Sequence, residues 1–239
     1  MIKVGGRSTP KGIHLHSPYG VSFAGMKNGG VFVKAKKFSV KKQLRVKKMA
    51  KIPFVRGLYS LFCISKAMIV VLLLLFGVSI ASLWVDMLVC IPEWVLFAAE
   101  ALLVVLVILY VVFSRGFHAA EHMAISAHEG GLPITSEAIR TSSRLSYRCG
   151  TNVAVFMVLF CIIGIAICFA FSFEYYEIVL LISLALATEI FKIKNGPQKP
   201  VLKYLYRFSM FIQKHVVTKE PTDNQVECAK LAMLALLEL

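Results

Sequence analysis

Long apolar runs set the first limit on what this chain can fold into. Four stand out: Ala67–Val85, Trp94–Phe113, Val153–Phe173 and Ile178–Ile193. Each is close to the roughly 20 residues that a helix needs to cross about 30 Å of hydrocarbon. The last is the shortest and contains Glu189, while the second carries Glu100 in its outer half. The chain is 58% hydrophobic, above the roughly 45–50% of soluble domains, and the excess sits in these runs. The expected fold class is mainly α: a polytopic membrane protein with four transmembrane helices, a small N-terminal β unit and interfacial and C-terminal helices.

The charges orient those spans. Of 27 Lys and Arg, fifteen precede the first run, in a segment without Asp or Glu. The loops Asp86–Glu93 and Ser172–Glu177 have no Lys or Arg, and the other twelve basic residues follow the second run or lie at and beyond the inner end of the fourth. The positive-inside rule then predicts a multi-pass protein of the bacterial cytoplasmic membrane with both termini in the cytoplasm. Two regions follow, 1–51 and 52–239, the second with a cytoplasmic loop over 114–150 and a cytoplasmic tail over 194–239. No cleaved signal peptide is expected, because the first apolar run starts late and lacks a small-residue cleavage site. Cys63, Cys90, Cys149, Cys161, Cys168 and Cys228 are scattered without a C-x-x-C pair, and structural thiols are the expectation.

The N-terminal region reads as short strands. Tyr19–Ala24 and Val31–Phe38 can alternate, and Met26-Lys27-Asn28-Gly29-Gly30 between them holds an Asn-Gly turn signal, so a β-hairpin is expected. A basic run from Lys34 to Lys51 follows. It could neutralise phosphates, but it lacks interleaved aromatics, and nucleic acid is not expected as a partner. The expected partners are the lipid bilayer and its anionic headgroups, with a homo-oligomer left open. Ile52–Leu61 reads as a helix along the inner interface. Val201–Val217 is amphipathic and also reads as interfacial. Thr135 or Ser136 should cap a helix over Glu137–Leu145, and Thr222 with Gln225 fits a capping box.

The chemistry concentrates just after the second run, in Phe117-His118-Ala119-Ala120-Glu121-His122 and on to His128-Glu129. On a helix His118, Glu121 and His122 share a face, and the H-x-x-E-H spacing is that of some zinc peptidases. A catalytic zinc takes three protein ligands and an open position. His118 and His122 supply two. Glu189, near the inner end of the fourth run, is the expected third, since a carboxylate at that depth needs a partner. The expected cofactor is therefore a divalent metal, zinc, with Glu121 as general base. His128, Glu129, Glu220 and Asp223 are fallback ligands. Arg148-Cys149 could be a reactive thiol beside a cation or a packed cysteine beside an anchoring arginine.

Three ordered motifs carry a resemblance. Phe117–His122, then Arg148-Cys149-Gly150-Thr151, then Glu220-Pro221-Thr222-Asp223-Asn224-Gln225-Val226-Glu227 match landmarks of the YqhQ-like bacterial membrane family, a domain of unknown function often labelled a predicted metal-dependent enzyme. Ile52–Gly57 and Gly5-Gly6 are similar to it as well. The resemblance implies a bacterial inner-membrane protein whose label rests on its histidine and acid motifs. It departs at Lys11, where the family has an acid. Two readings remain: a metal-dependent hydrolase working at the cytoplasmic face on a peptide or lipid-linked substrate, or a non-enzymatic scaffold or small transporter in which the histidines and acids form a polar network.

Overall fold

The computed structural model describes residues 2–41, 93–172 and 176–239. The first expected span and the Ile52–Leu61 interfacial helix lie outside the described residues. The N-terminal region forms an antiparallel meander of four strands in sequence order: β1 (Gly5–Thr9), β2 (Gly12–His16), β3 (Gly20–Lys27) and β4 (Gly30–Lys37). The expected hairpin is β3–β4, paired from Gly20↔Lys37 to Lys27↔Gly30. Its turn is Asn28-Gly29, with φ of 50° and 80°. Two consecutive positive φ values make the type I′ geometry that matches strand twist, which is why Asn-Gly occupies it.

The helices are α1 (Glu93–Glu129), α2 (Ser136–Thr141), α3 (Gly150–Ala170), α4 (Tyr176–Phe191), α5 (Leu202–Ile212) and α6 (Asp223–Leu237). Thr135 caps α2 by accepting the amide of Ala138 at 3.3 Å. Helix α2 is shorter than expected. Ser142 Oγ donates back to Ala138 O and Ser143 Oγ to Leu145 O, local bonds that compete with helix. The capping box of α6 forms as expected, with Thr222 N donating to Gln225 Oε1 at 2.9 Å.

Helix α1 is one rod of 37 residues, about 55 Å long, with two environments. From Leu102 to Phe113 its apolar side chains are largely exposed, Phe113 at 67%. From Ser114 the helix enters protein, and Phe117, Ala119, Ala120, Met123, Ala124 and Ala127 are buried. All of these but Ala119 share one core with Val4, Ile13, Leu15 and Ala24 of the N-terminal segment, Ile139 of α2, and Val226, Ala229, Ala232 and Met233 of α6. Ser22 Oγ donates to Ala232 O at 2.7 Å, tying β3 to α6.

Among the described residues, two segments, Val104–Glu129 and Gly150–Ala170, are long and apolar enough to cross a membrane. Three of the four expected spans fall on described residues, and the third of these does not reach that length. The fourth is represented by α4, an apolar helix of 16 residues, short of the roughly 20 needed. It packs on α3, whose Ile162, Ile165, Ile167 and Phe169 are exposed.

Candidate metal centre

The buried half of α1 presents His118, Glu121 and His122 on one face, against β1 on one side and the loop before α3 on the other. The third donor is Cys149. It is the N-cap of α3, its sulfur accepting the amide of Thr151 at 3.3 Å. His118, His122 and Cys149 bring one ligand atom each to within 4.8 Å of one another. Cys149 Sγ stands 3.3 Å from His118 Nε2, and the two imidazole centroids are 4.3 Å apart.

Each imidazole is held from behind. His118 Nδ1 lies 3.0 Å from Ser8 Oγ on β1 and 3.5 Å from Glu121 Oε2. His122 Nδ1 lies 2.8 Å from the carbonyl of Arg144. Contacts at Nδ1 leave both Nε2 atoms as the donors, the arrangement that outer partners impose on metal-ligating histidines. Strand β1 is in turn pinned by Tyr110, whose hydroxyl donates to Ser8 O at 3.1 Å.

Burial by itself would push the Cys149 thiol up. The charge of His118 and its hydrogen bond, followed by those of His122, outweigh it and hold the thiol down at about 5. Its place at a helix N-terminus acts in the same direction. A lowered thiol favours the thiolate that metals bind, and an ion bound there would displace the proton that His118 shares with it.

Glu121 is 4% exposed, and its Oε2 makes no hydrogen bond. The carboxylate fits only because residue 6 is glycine: a Cβ there would stand 2.4 Å from Glu121 Oε1. Gly6, Glu121 and the three donors line a cavity of about 80 Å³. A second cavity of about 220 Å³ shares His122, Ile125, Ser146 and Arg148 with it and continues past Glu129 and Tyr147.

Of the residues expected from sequence, the structure gathers His118, Glu121, His122 and Cys149, with Arg148 on the cavity wall. Glu189 is not in the group. It lies near the end of α4, a helix that packs on α3, and Cys149 holds the place expected for it. The fallback acids are engaged elsewhere: Glu129 pairs with Arg148, Glu220 with Arg144 at 3.2 Å, and Asp223 with Arg140. His128 reaches the carbonyl of Ile2 at 3.0 Å. Lys11 is exposed in the β1–β2 turn and does not line the cavity, so its charge lies outside the cluster. Ser8 and Gly6 had no local signal in the sequence; Ser8 meets His118 across 110 residues of chain.

The model for proteins of unknown function DUF1385 matches residues 31–239. The chain belongs to that family. This DUF1385 chain is similar to the uncharacterized protein YqhQ of Bacillus subtilis (strain 168), with 34% identity over 131 residues, 52% of this chain and 40% of that protein. The chain thus spans about two-fifths of the length of the curated relative it matches. No solved structure matches it. All three metal-centre donors fall inside the DUF1385 match, whereas Gly6 and Ser8, which complete the wall around them, precede it.

Proposed function

We propose that this chain is a membrane-embedded metalloprotein whose centre is His118, His122 and Cys149, and that it hydrolyses a peptide or lipid-linked substrate at the cytoplasmic face. One observation carries the reading: two imidazoles fixed at Nδ1 turn their other nitrogens toward a buried cysteine sulfur. The donor set fits a divalent ion. Two imidazoles and one thiolate are a set that zinc accepts, with the fourth position left for water or substrate. Glu121, whose buried Oε2 makes no hydrogen bond on the wall of the same cavity, is the feature a finished hydrophobic core would lack.

A bound ion would supply Lewis acidity, polarising a carbonyl and making water acidic near neutral pH. The chain supplies the rest. Ser8 and Glu121 hold His118, and the Arg144 carbonyl holds His122. Glu121 takes and returns the proton in the cavity. Arg148, on the wall shared by both cavities, orients an anionic or carbonyl group of the substrate.

Elemental analysis of the purified protein tests this. About one divalent ion per chain is expected in the wild type, with loss in His118→Ala/His122→Ala and in Cys149→Ala, and no change in Glu189→Gln. A wild type with far less than one ion per chain would overturn the reading and return the cluster to a buried polar network, as a scaffold or transporter needs.

A second reading rests on the 3.3 Å contact of Cys149 with His118. Without a metal the pair has the geometry of a thiol nucleophile and its base. Rapid stoichiometric alkylation of Cys149 in metal-free but folded protein would favour it.

A further inference from the structure

Helix α5 has three faces. One is buried: Tyr206 is 2% exposed, and Ser209 and Gln213, which follows the helix, are fully buried. Opposite, Tyr204, Phe208 and Phe211 are each more than half exposed, as is Val201 just before the helix. At 100° per residue these four lie within an arc of about 80°. Lys203 and Arg207 occupy the flank next to that stripe, and Lys214 continues it beyond the helix end. The Lys203 ammonium sits 5.0 Å from the centre of the Tyr204 ring.

The buried face fixes where α5 lies. Arg115, two residues past the last exposed apolar residue of the α1 run, donates to His215 O at 2.9 Å. Ser209 donates to Asn152, in the first turn of α3, at 2.6 Å. The Tyr206 ring meets Phe156 of α3 edge-on, and its hydroxyl donates to the carbonyl of Phe191, the last residue of α4. Helix α5 therefore lies across one common end of three apolar helices, at the level where the apolar surface of α1 stops.

We infer that α5 is a lipid-surface helix: its aromatic stripe rests in the headgroup–acyl boundary of an anionic bilayer, and Lys203, Arg207 and Lys214 contact the phosphates. An aromatic stripe with cations along one edge matches that boundary, where rings take the apolar side and long basic side chains reach the phosphates. A second protein chain would have to cover an isolated stripe. A bilayer reaches it without any further surface, because the apolar exteriors of α1, α3 and α4 end at the same level. The inference rests on the reading of α1 and α3 as membrane spans.

The test uses the full chain carrying Phe208→Trp, with Trp84→Phe and Trp94→Phe removing the two native tryptophans. It is placed in lipid nanodiscs of phosphatidylcholine and phosphatidylglycerol brominated near the carbonyl end of the acyl chains. The expected result is blue-shifted emission reduced by about half or more by the bromolipid. In Lys203→Gln/Arg207→Gln/Lys214→Gln, enrichment of phosphatidylglycerol over phosphatidylcholine among co-purifying lipids should fall about threefold. Emission typical of water, or blue-shifted emission untouched by bromine as a second copy would give, overturns the inference. Unchanged lipid enrichment in the triple variant overturns the phosphate contacts. A chain that stays soluble without lipid or detergent overturns the span reading as well, and so separates the two failures.

Discussion

At the scale of single residues, the centre depends on small spaces as much as on donors. Gly6→Ala places a methyl group against the end of a flexible carboxylate, so Glu121 should swing away while the fold survives. Losing an outer partner of a ligating histidine costs about 10–100-fold in metal affinity, and that loss is the expected outcome in a competition titration with a chromophoric chelator. Unchanged affinity would show that Glu121 does not support His118. His14, stacked on Phe23 with centroids 4.3 Å apart, is held down to about 4, first by burial and then by the charge of Arg7. A histidine with a lowered folded pKa is neutral in the fold and takes up a proton more readily when unfolded. Stability should therefore fall as the pH drops from about 6.5 to about 4, then level off with respect to this group. Thermal unfolding across that window should show a smaller acid loss in His14→Phe, which keeps the stack.

At the scale of elements, the loop that carries Cys149 is set by three buried polar side chains. Asn152 Nδ2 donates to the carbonyls of Ser146 and Tyr147, and Gln213 bonds both the amide and the carbonyl of Ser146. Gln213 Nε2 and Ser209 Oγ both donate to Asn152 Oδ1. Asn152→Ala leaves the buried Ser209 hydroxyl without its acceptor, while Gln213 Nε2 keeps Ser146 O, at a cost of about 1–3 kcal/mol for the orphaned group. A chemical-denaturation midpoint indistinguishable from wild type would show that the network is dispensable. Local signals were the most legible part of the sequence: the Asn28-Gly29 turn, the Thr135 cap, the Thr222–Gln225 box and the helical spacing of His118, Glu121 and His122 each reside in a few neighbouring residues. Cys149 could be seen as a candidate reactive thiol beside Arg148 and as part of a family motif, but not as a partner of the histidines. Its contact with His118 joins elements 31 residues apart, and no local pattern encodes that meeting. The expectation of Glu189 failed for the same reason, since depth along an apolar run does not say which helices become neighbours.

At the scale of the molecule, β1–β4, the buried half of α1 and α6 share one core, so they lie on one side of any membrane that α1 crosses. In a membrane crossed by α1 and α3, the contact of Tyr206 with Phe191 would bring the chain back to that side after α3, through a helix shorter than a full span. Epitopes inserted at Asn28-Gly29 and at Asn195 should therefore both be reached by antibody only from the cytoplasmic face of sealed vesicles. Detection of the two on opposite faces would overturn the shared side. The sheet's fit to α6 also bears on how the molecule is made. The ribosome releases the strands well before α6, and Ser22 meets Ala232 across 210 residues. Helix α1 can seat β1 beside His118 before α6 emerges, but β3 and β4 then lack the helix that packs on them. A chain stalled before residue 223 would therefore display those two strands uncovered to the cell's proteases.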